Sequence, residues 1–451
     1  MANPKESNKL GLWTSTSLVV GNMIGSGVFL MPAALAAFGG ISLLGWVFSA
    51  IGSFFLAKVF GNLSKLIPNA TGGPYVYTRA GFGDFAGFLV AWGYWIANCC
   101  ANATIVISFV GGMSVFFPSL ATNTLAAIIT GLASIWIITW INSRGVALSG
   151  KFQLLTTILK LLPLVLISVG GLLFIKAQNF HPFNLSGKPI FSAMTITATM
   201  TMFAFVGIES ATIPAGNVEN SEKIVSRATM LGLLISTFVY ILGSVSIMGI
   251  IPAAQLKQSI TPYADAAAII YGPAARYLAS AGVVIAAFGA LNGWTFIQGQ
   301  MPYGIAKDKL FPGIFGRLNK RGVPAVGMAI SSGITSLVLL MNYTKGLVDQ
   351  FKSLLLLATL SILIPYLFSA GAYIILGTKK NALHKASTLG VVLLGLVAFV
   401  YSLWEIGGSG EEAVYYGFLF LMAGIPFYIW LSYKKHREDA SPQPLSEGEG
   451  L

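Results

Sequence analysis

Charge is the scarcest resource in this chain. Only 9% of its 451 residues are Asp, Glu, Lys or Arg, and just 15 are acidic. A soluble domain cannot cover its surface from so small a stock. Cysteine is rarer still, with Cys99 and Cys100 adjacent in an apolar run, and the histidines stand far apart at His181, His384 and His436. Neither pattern offers a disulfide framework or a metal-ligand set, so no metal, redox centre or cofactor is expected. The apolar segments hold no metal cluster or paired carboxylates of the kind an enzyme would need. Residues 1–9 are polar and do not read as a cleaved signal.

Apolar length is abundant. The chain is 55% hydrophobic with a mean hydropathy of +0.77, which points to an all-α integral membrane protein. About twelve segments of spanning length follow one another, at 12–36, 39–64, 83–116, 122–142, 149–175, 191–216, 226–250, 277–305, 324–342, 352–377, 387–406 and 413–433. The connections are short, so residues 1–433 read as a single polytopic domain, and 434–451 as a polar tail with a disordered composition. If the N-terminus is inside, 19 of the 27 Lys and Arg residues fall on the inner side and six on the outer, while Lys58 and Lys160 lie within spans. That bias places both termini in the cytoplasm of an inner-membrane protein. It also accounts for the net charge of +12 without nucleic acid.

Two spans are interrupted. The first carries Gly21-Asn22-Met23-Ile24-Gly25-Ser26-Gly27 between apolar runs too short to cross alone. Irregular backbone at membrane depth is tolerated only where it is buried in protein or lines a cavity. As a broken helix, this stretch would aim the N–H groups of Ser26 and Gly27 at an anion and the carbonyls ending its first half at a cation. A phosphate loop would need a preceding strand, and none is expected; close helix packing through glycines is the plainer alternative. The sixth span holds Gly207 and Glu209, the one acidic residue expected deep in any span. An ionisable group there is a functional candidate, or else a carboxyl hydrogen-bonded to a neighbouring helix. Breaks in spans one and six are corresponding positions of two sets of five, as an inverted five-plus-five repeat with a midplane site would produce.

The runs Gly21 to Phe29, Phe205-Val206-Gly207-Ile208-Glu209-Ser210 and Gly216-Asn217-Val218-Glu219-Asn220, with Gly293-Trp294-Thr295 and Pro365-Tyr366-Leu367, resemble the amino acid/polyamine/organocation transporter superfamily. Within it the chain is most similar to the basic amino acid and polyamine antiporters, over nearly its whole length. The resemblance implies a small-molecule substrate, an amino acid or its amine, moved across the bilayer without cofactor. Its carboxylate would meet Ser26 and Gly27, beside Gly25, and its amine the carbonyls of Met23, Phe203 and Val206. Trp294 would stack on a cationic side chain. Asn102, with Ala97 and Asn98, would line the side-chain end, and Tyr94 and Tyr366 would act as gates. Relatives in this family commonly pair as homodimers.

The chain departs from the arginine-exchanging branch at Phe203, where that branch has a tryptophan, at Ala358 in place of a serine, and at Asn98 in place of a cysteine. An α-amino acid is therefore better supported than arginine itself. Lys160, seven residues after Gln153, resembles the buried span-five lysine of proton-coupled permeases and light-subunit exchangers, where it takes the place of sodium; alternatively it snorkels. Exchange of an amino acid for its amine is the leading expectation. Proton-linked uptake of a neutral or broader range of amino acids through Lys160 or Glu209 is the alternative, and a non-transporting membrane sensor is a remote one.

Overall fold

A computed structural model describes residues 9–25, 27–259, 261–342, 347–380 and 385–439, with side chains throughout except at 342, 347–361, 385, 413 and 435–439. Among the described residues the regular structure is helical, and the single β-type contact is a bridge between Leu10 and Val218. In chain order the principal helices are α1 (Leu12–Met23), α2 (Gly27–Leu35), α3 (Ser42–Leu66), α4 (Pro74–Phe82), α5 (Asp84–Met113), α6 (Thr124–Ser143), α7 (Val146–Gly171) and α8 (Ile190–Met202). They continue with α9 (Ser221–Ile250), α10 (Pro262–Tyr271), α11 (Ala275–Lys307), α12 (Ala325–Asn342), α13 (Leu347–Lys380), α14 (Lys385–Gly408), α15 (Glu411–Met422) and α16 (Ile425–Asp439). A helix satisfies every backbone group within itself, which is why apolar runs of this length take that form.

Among the described residues nine helices are long and apolar enough to cross a membrane. A tenth span is formed by α1 and α2, bent by 43° at the first glycine break, and two shorter apolar helices cover Ile190–Phe205 and Ala325–Met341. Each of these elements overlaps one of the expected segments. Burial ranks them: 72% of the apolar window of α11 and 67% of that of α5 is buried, against 17% for the last span, so α5 and α11 are central and α15 and α16 peripheral. Lys58 is exposed and lies over the Phe54 ring, whereas Lys160 is fully buried.

The sixth span departs from a simple two-half helix. After α8 come a short 3-10 turn at Phe203–Phe205, consecutive turns from 206 to 214, and a second 3-10 turn at Ala215–Asn217. Gly207 has φ +110°, outside the range of a right-handed helix. Beyond it the backbone closes through Ser210 N–H to Gly207 O and Thr212 N–H to Glu209 O, each three residues apart. Pro214 then removes one further donor. The structure also corrects one sequence expectation: Glu209 is not the only acidic side chain buried in a span. Glu405, near the end of α14, is equally inaccessible because α3 and α8 pack over it.

Candidate functional site

The first break is held from below by a polar frame. Asn142 on α6 donates to the Asn292 side chain on α11 at 3.0 Å, Asn292 donates to Gln153 on α7 at 2.7 Å, and Ser149 donates to Asn142 at 2.6 Å. Gln153 and Thr157 in turn donate to the Ser17 carbonyl of α1 at 3.5 and 3.2 Å. Gly21 has no side chain because a Cβ there would lie 1.8 Å from the Gln153 amide nitrogen. The frame therefore fixes where α1 ends.

At that end sits Lys160. Its ammonium donates to the carbonyls of Gly21 at 2.7 Å and Ile24 at 2.6 Å, acceptors that lose their helical partners where α1 stops. The negative end of the α1 dipole lies at the same point. The cation that the dipole argument assigned to these carbonyls is thus supplied by the chain itself, from α7.

The second break is organised by Glu209. Tyr94 of α5 donates to Oε1, Tyr366 of α13 donates to Oε2, and the Gly207 N–H reaches Oε2 at 3.2 Å. One carboxyl group thereby ties α5, α13 and the break together. The two breaks touch: Asn22 Nδ2 donates to Ser210 Oγ at 2.9 Å, and a Cβ on Gly207 would approach Asn22 and the Met23 nitrogen to 3.2 Å.

Between the breaks lies a cavity. Asn22, Met23, Gly25, Gly27, Val28 and Met31 line it from the first break, and Phe203, Ala204 and Val206 from the second. Ala101, Thr104 and Ile105 of α5, Trp294 of α11 and Ile362 of α13 complete the wall. Trp294 is buried, and its Nε1–H donates to the Asn22 carbonyl at 3.3 Å. The Met23 and Phe203 carbonyls accept from Gly25 and Val206 at 2.9 and 3.3 Å; each keeps a second lone pair for another donor. A site walled by two non-helical breaks in an apolar bundle is built to take a small molecule out of water at membrane depth.

A family model described as "Amino acid permease" matches residues 10–436. The chain belongs to the amino acid permease family. An arginine/agmatine antiporter of Chlamydia pneumoniae is 31% identical over 447 residues, covering 96% of this chain and 92% of the relative. A putative arginine/ornithine antiporter of Bacillus subtilis is 32% identical, covering 96% and 99%, and the putrescine transporter PotE of Haemophilus influenzae is 31% identical, covering 95% and 98%.

In this permease the structure gathers most of the sequence-predicted residues. Met23, Gly25, Gly27, Phe203, Val206 and Trp294 line the cavity; Tyr94, Glu209 and Tyr366 form one hydrogen-bonded group, and Lys160 is docked at the first break. Ser26 lies outside the described residues, as does the side chain of Ala358 in α13. Three predicted residues stand apart from the cavity wall. Asn102 donates to Gln298 of α11, Asn98 is buried beside the Tyr94 hydroxyl, and Ala97 is buried in α5. At 100° per residue the Asn98/Asn102 face is turned roughly a quarter of a circle from the face of Ala101, Thr104 and Ile105. Asn22, Val28, Met31, Ala101, Thr104, Ile105, Ala204 and Ile362 are wall residues that sequence reasoning missed. Only Asn22, inside the glycine run, carried a local signal.

At the end of the bundle bearing Lys307, Arg79 of α4 binds Asp84 of α5 and Asp308 beyond α11, each at 2.7 Å, and Tyr75 donates to Asp308 at 2.8 Å. Burial and the Asp308 carboxylate raise the Tyr75 hydroxyl above its ordinary range, so it remains a donor. Burial alone would lower Arg79, but the hydrogen bond to Asp84 and the carboxylate charges of Asp308 and Asp84 raise it overall.

Proposed function

We propose that this permease is a secondary antiporter that exchanges an amino acid, with a basic one the leading candidate, for an amine by alternating access. The observation that carries the reading is the cavity bounded by both breaks and lined by Trp294. A substrate carboxylate would lie at the start of α2, where Gly27 opens a helix with unpaired N–H groups, and Ser26 would add to it. The ammonium would take the second lone pairs of the Met23 and Phe203 carbonyls, with Val206 beside them. The side chain would then extend toward Trp294, Thr104 and Ile362. A cation over the Trp294 face gains about 0.5–2 kcal/mol.

The relatives named above carry arginine, agmatine, ornithine or putrescine in their names, and a ring able to stack on a cation suits that class. Broken spans one and six in contact through Asn22 and Ser210 support the five-plus-five repeat. The Lys and Arg distribution supports both termini in the cytoplasm. Residues 1–433 then form the carrier and 434–451 its cytoplasmic tail. Proton coupling at Lys160 or Glu209, and pairing as a homodimer, are compatible additions.

The test is counterflow into proteoliposomes preloaded with arginine, agmatine, ornithine, putrescine or a neutral amino acid, with and without a pH gradient. Uptake that requires an internal amine or amino acid and ignores the gradient is the expected result. Accumulation in empty vesicles driven by the gradient would replace exchange with proton symport.

A further inference from the structure

Glu405 belongs to none of the groups above, yet it is as deeply buried as Glu209. Both its carboxyl oxygens are inaccessible, and neither has a hydrogen-bond partner. The two hydroxyls beside it, Tyr401 and Thr199, are the donors nearest its carboxyl, and each has a competing acceptor. Tyr401 is placed to donate to Met202 Sδ at 3.0 Å or to the Ser49 carbonyl at 3.4 Å, and Thr199 to the Thr195 carbonyl at 3.2 Å. Among the described side chains, the helices packed on α14 bring no countercharge to Glu405. From α3 come Ser49 and Ser53 near Tyr401, and from α8 Thr199 and Met202. On α13, Tyr366 is engaged with Glu209 and Tyr373 with Asn62, while Glu411 and Glu412 of α15 are exposed. A bare carboxylate in such a place would cost several kcal/mol. The group present here is therefore the neutral acid.

Glu405 does not itself line a cavity, but its neighbour Thr199 lines a second one. Gly27, Leu30, Met31 and Ala34 line it from α2, Ile196, Thr199 and Met200 from α8, and Gly408 and Ser409 from the end of α14. Gly27, Met31 and Phe203 line both cavities, so the Phe203 ring stands between them. Glu405 lies one helical turn behind Gly408, and Gly408 packs so tightly on Thr199 that a Cβ there would meet its hydroxyl oxygen at 2.3 Å. Thr199 is the contact shared by the acid and the cavity.

We propose that Glu405 is a proton-binding site serving this second cavity. When water enters the cavity, the Glu405 O–H bond breaks and its electron pair stays on the carboxylate. The proton leaves on water, and the Thr199 hydroxyl turns from the Thr195 carbonyl to donate to the new charge. The reverse step reloads the acid. This inference rests on the reading of the first cavity as the substrate path, because Phe203 then couples passage of substrate to hydration beside Thr199.

The test combines infrared spectroscopy of the purified protein with transport. In substrate-free wild-type protein the carbonyl stretch of a protonated carboxyl should titrate away as pH rises, and Glu405→Gln should lose that component while keeping any contribution from Glu209. Thr199→Val should move the same titration to higher pH, since the carboxylate loses its donor. In proteoliposomes the pH dependence of uptake should flatten in Glu405→Gln. A spectrum in which no component disappears with Glu405→Gln overturns the proposal, as does an unchanged pH profile. A raised KM for diamines alone, with the profile intact, overturns it in favour of an ammonium site. The infrared readings need no substrate, so they stand or fall separately from the antiport reading.

Discussion

Trp294 has two duties: it lines the cavity, and its Nε1–H anchors the Asn22 carbonyl at the first break. The two can be separated by substrate. Trp294→Leu is expected to weaken binding of a cationic amino acid or amine by about 2- to 30-fold, the equivalent of one cation–π contact, and to leave a small neutral amino acid little changed. Competition of unlabelled substrates against labelled uptake measures both, and an equal loss for both classes would reduce the ring to packing. The residues around it show where sequence reasoning stops. A tryptophan beside Gly293 can be placed by motif, and Gly293 has a reason of its own, since a Cβ there would fall 1.9 Å from the Asn22 amide oxygen. Asn102 was as visible as Trp294, but its partner Gln298 lies on another helix almost two hundred positions away. No local pattern reveals which polar face of α5 another helix has already covered.

Among the elements, the two breaks were legible and their shapes were not. Glycine and polar residues inside apolar runs announced both interruptions. The first resolves into two true helices, α1 and α2. The second continues as a series of turns, because Gly207 takes φ +110° and the residues after it close three-residue turns instead of helical ones. Gly207→Ala should therefore be costly on two grounds, the backbone conformation and a Cβ 3.2 Å from Asn22 and Met23. A loss of about 1–3 kcal/mol is expected, read as a lowered melting temperature of the purified protein together with reduced substrate affinity. A variant that melts and binds like the wild type would mean that this turn relaxes freely. Lys160 was found by its spacing from Gln153, but its docking on two α1 carbonyls depends on the Asn142–Asn292–Gln153 frame, which joins three helices.

At the scale of the whole molecule, the central helices α5 and α11 tie the cavity to the Arg79 cluster, since Asp84 opens α5 and Asp308 follows α11. One guanidinium there bridges the ends of the two most buried helices. Charges about a third exposed are weakened but not abolished by salt. Arg79→Ala should loosen this end of the bundle, seen as faster labelling of a cysteine placed near Tyr303 in an otherwise cysteine-free protein, and labelling of the wild type should quicken with salt. Unchanged labelling rates in both experiments would show that the cluster does not hold the end shut. The twelve segments and the positive bias of their connections were readable because bilayer thickness constrains the former and topology the latter. The Arg79–Asp308 pair was not, because it joins residues from two different connections.

The ammonium of Lys160 is covalently tethered, so the cation that completes the end of α1 never has to be drawn from the medium. A resident cation of this kind cannot diffuse away after a turnover, so filling the end of α1 draws on no metal-ion gradient. The ratio of substrates on the two faces then sets the direction of net movement. Exchange should proceed at equal rates in sodium, potassium and choline buffers, measured as labelled uptake into vesicles with matched salts on both sides, and a requirement for sodium would show that the tethered group leaves a seat unfilled. Such a carrier would go on working in a cell whose sodium gradient had collapsed.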